Sequence, residues 1–241
     1  MAKINLVLQA KGGVGKSFIS AMLAQYKRDK GEHPLCVDTD PMNATFTGYK
    51  ALGVRKLPLL QGDEIDVRHF DTLLEWLVNL EEDAIVDNGA ATFVPLVNYL
   101  MINETPALLA EMGHELVIHS VVTGGQALLD TVGGFSQLVS QFPDPATFIV
   151  WLNPYWGPIE SDGKDFWQFK GYQGNKDRIA AVISLPNLQA ATFGRDLEDI
   201  LKARLTFDEA LASAEKPIAI RQRLKLYKKT LFNELDAAQV L

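Results

Sequence analysis

With 241 residues, 47% hydrophobic and 22% charged, the chain is long enough for one large α/β domain and too apolar to be disordered. Its 23 Lys and Arg against 30 Asp and Glu leave a net charge of −7, which excludes a general nucleic-acid coat and confines any polyanion contact to a local patch. The single cysteine, Cys36, excludes an intrachain disulfide, a Cys₄ zinc site and an iron–sulfur cluster held by this chain's own thiolates.

Residues 4–9 form a short apolar run that enters a glycine-rich turn. After the turn Ile19, Met22, Leu23 and Tyr26 fall at helical spacing, and Gly31 closes that helix. Residues 35–38 read as the next strand, with Cys36 a core thiol; residues 52–60 are ambiguous, part of them extended. Phe70, Leu73, Leu74 and Leu77 mark a helix before a strand over 84–87. Pro95 and Pro106 sit as first-turn prolines, with Thr105 placed to cap the second helix and Gly113 to end it. A near-continuous apolar strand over 115–122 precedes a helix marked by Leu128, Val132, Phe135 and Val139. Residues 147–153 and 179–185 read as buried strands, and the tail from Thr206 as helices broken at Pro217. Strands alternating with helices, most of them apolar throughout, predict an α/β fold: a mainly parallel sheet with helices on both faces. Neither repeat nor linker interrupts the pattern, so one domain over 1–241 is expected. No signal peptide and no run of about 18–20 apolar residues appears, so a cytoplasmic protein is expected.

The segment Ala10-Lys11-Gly12-Gly13-Val14-Gly15-Lys16-Ser17 follows a predicted strand and opens a predicted helix. Glycines let backbone N–H groups turn inward around phosphate oxygens, and the helix N-terminus adds partial positive charge. Lys16 reaches the β and γ phosphates, and the Ser17 hydroxyl suits magnesium. The loop, with Gly12, Gly13, Val14, Gly15, Lys16 and Ser17, is therefore a candidate phosphate cradle.

Ala10 stands where the eight-residue pattern has its first glycine, and Lys11 is a second lysine inside the loop. Lys-Gly-Gly-Val-Gly-Lys-Ser resembles the deviant Walker A motif of the ParA/MinD ATPases. That resemblance implies a P-loop fold, ATP and Mg²⁺ as ligands, and an ATP-dependent homodimer in which Lys11 crosses to the partner's nucleotide. By the same resemblance Asp40, after the strand ending Val37-Asp38-Thr39, orients the attacking water, and Asp38 supports the magnesium shell. Ala84-Ile85-Val86-Asp87 resembles the Walker B strand, with Asp87 holding magnesium through water. Asn153 resembles the asparagine that reads adenine, and Pro186 the turn that lines the base. Two departures stand out. The stretch Asp40-Pro41-Met42-Asn43-Ala44-Thr45 is one residue shorter than the family's, and Asn88-Gly89-Ala90-Ala91 replaces a Thr-Pro type turn.

A narrower resemblance, to ATPases encoded in plasmid conjugal-transfer regions, rests on segments such as Met-Gly-His-Glu-Leu-Val-Ile-His and Val-Trp-Leu-Asn-Pro-Tyr-Trp-Gly-Pro-Ile-Glu. It implies a slow, partner-stimulated ATPase in conjugal transfer or in positioning the transfer apparatus or its DNA, with conjugation-apparatus proteins as partners. The alternatives on the same fold are a small-molecule phosphotransferase or ATP-dependent ligase resembling dethiobiotin synthetase, against which Lys11 argues, and a non-hydrolysing ATP-binding adaptor.

Other signals carry less. His114 and His119 are five apart, an odd offset that points them to opposite faces of a strand. Thr123-Gly124-Gly125 is either an anion cradle or a tight turn. Trp156 and Trp167, in the irregular stretch after the strand at 147–153, are either core or a partner-binding patch. Residues 216–229 hold Lys216, Arg221, Arg223, Lys225, Lys228 and Lys229 and no acid. That run is a solvated helix face or a non-specific DNA contact; Asn233, Glu234 and Asp236 dilute any membrane-surface role.

Overall fold

The computed structural model describes residues 1–240. In chain order the elements are β1 (Lys3–Leu8), α1 (Lys16–Asp29), β2 (Leu35–Asp38), β3 (Arg55–Lys56), β4 (Leu60–Gln61), β5 (Glu64–Ile65), α2 (Phe70–Val78), β6 (Ala84–Asp87), α3 (Phe93–Ile102), α4 (Thr105–Glu111), β7 (Glu115–Thr123), α5 (Leu128–Gln141), β8 (Thr147–Asn153), β9 (Glu160–Ser161), β10 (Lys164–Asp165), α6 (Lys170–Gln173), β11 (Ile179–Ser184), α7 (Arg195–Lys202), α8 (Phe207–Ala212) and α9 (Ile218–Ala238). Seven strands form one sheet in the order β11-β8-β7-β1-β6-β2-β3, and every neighbouring pair is parallel.

The apolar runs of β1, β2, β6, β7 and β8 are buried on both faces; β11, expected as a buried strand, lies at the rim of the sheet with only Ile183 buried and Ala180 and Ser184 exposed. One layer gathers Leu6, Phe70, Leu96, Phe135 and Phe148 beneath α2, α3 and α5. The other gathers Val7, Met22, Trp151, Phe207 and Leu231 beneath α1, α8 and α9. Each such side chain contributes about 1.5–3 kcal/mol on burial, so the strand pattern is also the stability pattern. β1 lies between β6 and β7, where the strand order reverses, so its carboxyl end opens into the crevice in which ligands of such sheets sit.

Most expected elements are present, and the differences have local causes. The ambiguous 52–60 stretch supplies a two-residue edge strand, with a hairpin of β4 and β5 behind it. Thr105 is not the cap. Glu104, at φ 47°, makes the sharp turn between α3 and α4, and Thr105 begins α4 fully buried, its hydroxyl without a partner among the described residues. Pro106 does lie in the first turn, and Gly113, at φ 80°, follows the helix end. Cys36 is a buried thiol pushed up to about 12 by burial, hence inert as a nucleophile.

A buried polar chain crosses the sheet. The Trp151 indole N–H donates to His119 Nδ1 (2.9 Å), so Nε2 carries the ring proton and donates to Asn5 Oδ1 (2.9 Å). Burial first, then the positive charge of Lys27, pushes His119 down to about 3. In the unfolded chain this histidine protonates near 6.5; in the fold it resists until about 3. Its stabilising contribution is thus full above about pH 6.5 and lost as pH falls from there toward 3, at up to about 1.4 kcal/mol per pH unit. His119→Ala leaves a buried donor and a buried acceptor unpaired, at about 1–3 kcal/mol each. Urea unfolding at pH 7 and pH 5 should show the variant less stable at pH 7 and less sensitive to acid than wild type; an unchanged acid sensitivity would remove His119 from that account.

Candidate nucleotide site

The loop between β1 and α1 stands at the carboxyl edge of the central strand. Gly15, at φ 105°, occupies the position before the helix, and Gly13 is also left-handed at 75°. A side chain on Gly15 would be strained by that φ and would meet Asn153 Nδ2 at 2.9 Å. Val14 is buried in the core and pins the loop from below, while Lys11, Gly12 and Gly13 stay exposed.

Lys16 opens α1 and is buried, its ammonium donating to the Lys11 carbonyl at 3.1 Å. Burial lowers its pKa, and the carboxylates of Asp87 and then Asp40 push it back up. Asp87 ends β6. Burial, reinforced by Asp38, raises it to about 7 against the favourable effects of Ser17, Ser20 and Lys16; Ser20 Oγ donates to its Oδ1 at 3.0 Å. The fold thus brings Lys16, Ser17, Asp87 and Asp40 together at one sheet edge.

Asp38 and Asp87 are register partners at the ends of β2 and β6. Asp38, expected in the magnesium shell, has both carboxylate oxygens occupied. Oδ1 accepts from the Asp40 N–H at 3.0 Å, and Oδ2 accepts from the Thr47 N–H and hydroxyl, each at 2.9 Å. These bonds tie Asp38 to the loop that carries Asp40. Asp40 Oδ1 accepts from the N–H groups of Met42 and Asn43, each at 2.9 Å. The rest of that carboxyl lies against Gly89, where an added Cβ would come within 2.5 Å of Asp40 Cγ. Gly89 is therefore a glycine because the carboxylate needs its space.

Lys11 is half-exposed, and its ammonium pairs with Asp130 Oδ2 of α5 at 2.7 Å. Beside it a cavity of about 430 Å³ is bounded by the phosphate loop, Trp156 and the 123–127 turn. Gly124 and Gly125 are packed against backbone carbonyls of residues 156–158, so a tight turn explains both. A second cavity of about 300 Å³ lies on the other side of the loop, mostly apolar, with Phe18, Trp156, Pro186, Leu188 and Tyr227 among its walls. Asn153 and Pro186 both reach it, but the Asn153 amide is engaged: Nδ2 donates to the Val14 carbonyl at 2.8 Å and Oδ1 accepts from the Tyr155 N–H at 3.1 Å. It braces the phosphate loop.

Phe18, which directly follows Ser17, lines the apolar cavity without any motif to mark it, and Asp130 becomes a neighbour of Lys11 only across 119 residues of chain. Trp156 is 59% exposed and Trp167 45%, so neither is core. In the basic run, Arg223 pairs with Asp196 and Lys228 with Asp29 and Asp208, leaving Lys216, Arg221, Lys225 and Lys229 outside those pairs. No helix among the described residues is long and apolar enough to cross a membrane.

A parallel sheet, a glycine loop wrapped onto a helix N-terminus and carboxylates at neighbouring strand ends define a P-loop nucleotide-binding protein. Residues 6–232 match the CobQ/CobB/MinD/ParA nucleotide binding domain, and the chain belongs to that family. It is 62% and 60% identical to two Escherichia coli proteins, each named Protein TraL, over all 241 residues and the whole of each relative. Among solved structures it resembles the cell division ATPase MinD of Pyrococcus furiosus, at 15% identity and a TM-score of 0.51, covering 98% of this chain and 99% of that one. It also resembles a Borrelia burgdorferi protein described as a candidate plasmid partition protein bound to AMPPNP, at 17% identity and a TM-score of 0.50, with the same coverage. At those identities the likeness is one of fold.

Proposed function

We propose that this chain is a cytoplasmic, magnesium-dependent ATPase that works as a nucleotide-switched dimer in plasmid conjugal transfer. The observation that carries the reading is the buried Lys16 ammonium set beside the Asp87 and Asp40 carboxylates at the mouth of a phosphate loop. Backbone N–H groups of Gly12 to Lys16 cradle the triphosphate, and Lys16 exchanges the Lys11 carbonyl for phosphate oxygens. The donors present are hard oxygens, the Ser17 hydroxyl and the buried Asp87 carboxyl, which suit an ion that keeps waters and shares phosphate oxygens. Magnesium, when bound there, neutralises the charge that develops on the β and γ oxygens. Asp40 orients water toward the γ phosphorus, Lys11 of each subunit reaches the other's nucleotide, and the base enters the cavity walled by Phe18, Asn153 and Pro186. Any non-specific DNA contact falls on Lys216, Arg221, Lys225 and Lys229.

Sedimentation of the purified protein with ATP, AMPPNP or ADP, each with magnesium, with and without DNA, tests the reading. ATP and AMPPNP should give dimers and ADP monomers. A monomer throughout, with phosphate release that saturates with a metabolite, would instead favour the phosphotransferase; a dimer that releases no phosphate, the adaptor.

Two side-chain tests follow. Asp40→Ala should keep ATP affinity within about threefold and lose about a hundredfold or more in turnover, the usual worth of a positioned acid–base group. Asn153→Ala should weaken ATP and base-free tripolyphosphate about equally, by roughly tenfold, because it loosens the loop that both share. A loss confined to ATP would return Asn153 to reading adenine.

A further inference from the structure

Where the family resemblance leads one to expect a Thr-Pro type turn after Asp87, this chain has Asn88, and both the oxygen and the nitrogen of its amide are hydrogen-bonded. Asn88 Oδ1 lies 3.0 Å from the Thr39 hydroxyl and 2.9 Å from the Thr92 hydroxyl, accepting from both. Its Nδ2 donates to the Gly89 carbonyl at 3.0 Å. Thr92 Oγ1 also lies 3.1 Å from the Thr39 carbonyl, and the Thr39 N–H donates to the Asp87 carbonyl at 2.9 Å. All three side chains are buried. Thr39 immediately precedes Asp40; Asn88 and Thr92 flank Gly89, against which the Asp40 carboxyl is packed. Buried polar groups bonded to one another in this way hold one arrangement, since opening it strands each of them without water.

We propose that Asn88, with Thr39 and Thr92, is a positioning cluster that ties the Asp40 loop to the loop after Asp87, so that the two move as one piece when the γ phosphate arrives or leaves. None of the three touches the reacting atoms; they act through the place they give Asp40 and Gly89. The proposal rests on the ATPase reading for its consequence in turnover, and on the hydrogen-bond geometry alone for the tie itself.

The tie is tested without ligand by hydrogen exchange. Asn88→Ala and Thr92→Val, the latter nearly isosteric, should speed exchange at residues 39–47 together with 88–93 while α1 and β7 keep their protection. Thr92→Ser, which keeps the hydroxyl, should leave both segments as in wild type. In phosphate-release assays Asn88→Ala and Thr92→Val should lose at least tenfold in kcat with ATP affinity within threefold, and Thr92→Ser should restore most of it. Faster exchange at 88–93 alone, or kcat and ATP affinity falling in parallel, would overturn the proposal. Wild type that binds ATP and releases no phosphate would overturn the ATPase reading instead, with the tie then decided by exchange.

Discussion

Replacing Lys16 with alanine should abolish useful nucleotide binding, the largest effect expected of any single change in the site. Its ammonium is buried, is aimed by the first turn of α1, and already donates to a carbonyl of its own loop. Removing one partner from a buried, hydrogen-bonded charge contact costs about 2–5 kcal/mol. At about 1.4 kcal/mol per tenfold change, that is a loss of thirtyfold to several thousandfold in ATP affinity. Calorimetric titration of wild type and Lys16→Ala with ATP and magnesium measures it, with circular dichroism confirming that the variant is folded. Affinity within threefold of wild type would mean that the loop does not cradle phosphate.

Lys11→Ala should leave monomeric nucleotide binding nearly intact and abolish the ATP-dependent dimer. Two facing triphosphates repel strongly in a water-poor interface unless a cation crosses it. In the structure Lys11 is half-exposed and held by Asp130 of its own chain. That pair is exposed on both sides, and such pairs contribute about 0–1 kcal/mol, whereas a buried contact to a partner's phosphate is worth several times more. The magnitudes let the lysine leave Asp130 whenever a second subunit offers phosphate. Asp130→Asn should accordingly change the dimerisation constant by no more than about fivefold, against at least tenfold for Lys11→Ala. Light scattering with ATP and magnesium reads both. Equal dimerisation of wild type and Lys11→Ala would sink the role across the interface.

What could be read from the sequence depended on how local the cause was. β2, β6 and β8 end where expected because an apolar run stops at Asp38, Asp87 and Asn153, and each end is written in its own residues. The phosphate loop is legible because its chemistry fixes spacing and residue type together. α7 is faint in the sequence: its eight residues are mostly charged, and only Asp196 and Ile200 are buried, although Leu197, Ile200 and Leu201 carry the helical spacing. β3 exists because β2 offers it an edge, which no feature of Arg55–Lys56 announces. Thr105 has the composition of a cap, yet the left-handed turn at Glu104 draws it inside the helix. Asn153 stands out by residue type, but the Val14 carbonyl it bonds, 139 residues away, is a product of the fold. The Asn88 cluster was hidden for the same reason, since Thr39 and Asn88 meet only when β2 and β6 lie side by side.

The rims of the sheet bear on how copies of this chain avoid joining wrongly. An open parallel sheet ends in strands whose unpaired N–H and C=O groups invite another chain to add on. Here one rim is β3, two residues long, both of them cationic and exposed, so it offers a neighbour almost no ladder and a repulsive charge. The other rim, β11, shifts register between Ile179 and Ala181, and the adjacent Arg178 guanidinium bonds the carbonyls of Phe142 and Ala146 and lies over the Phe148 ring. With both rims blunted against fibre-like addition, any self-association is steered away from backbone pairing and toward side-chain surfaces.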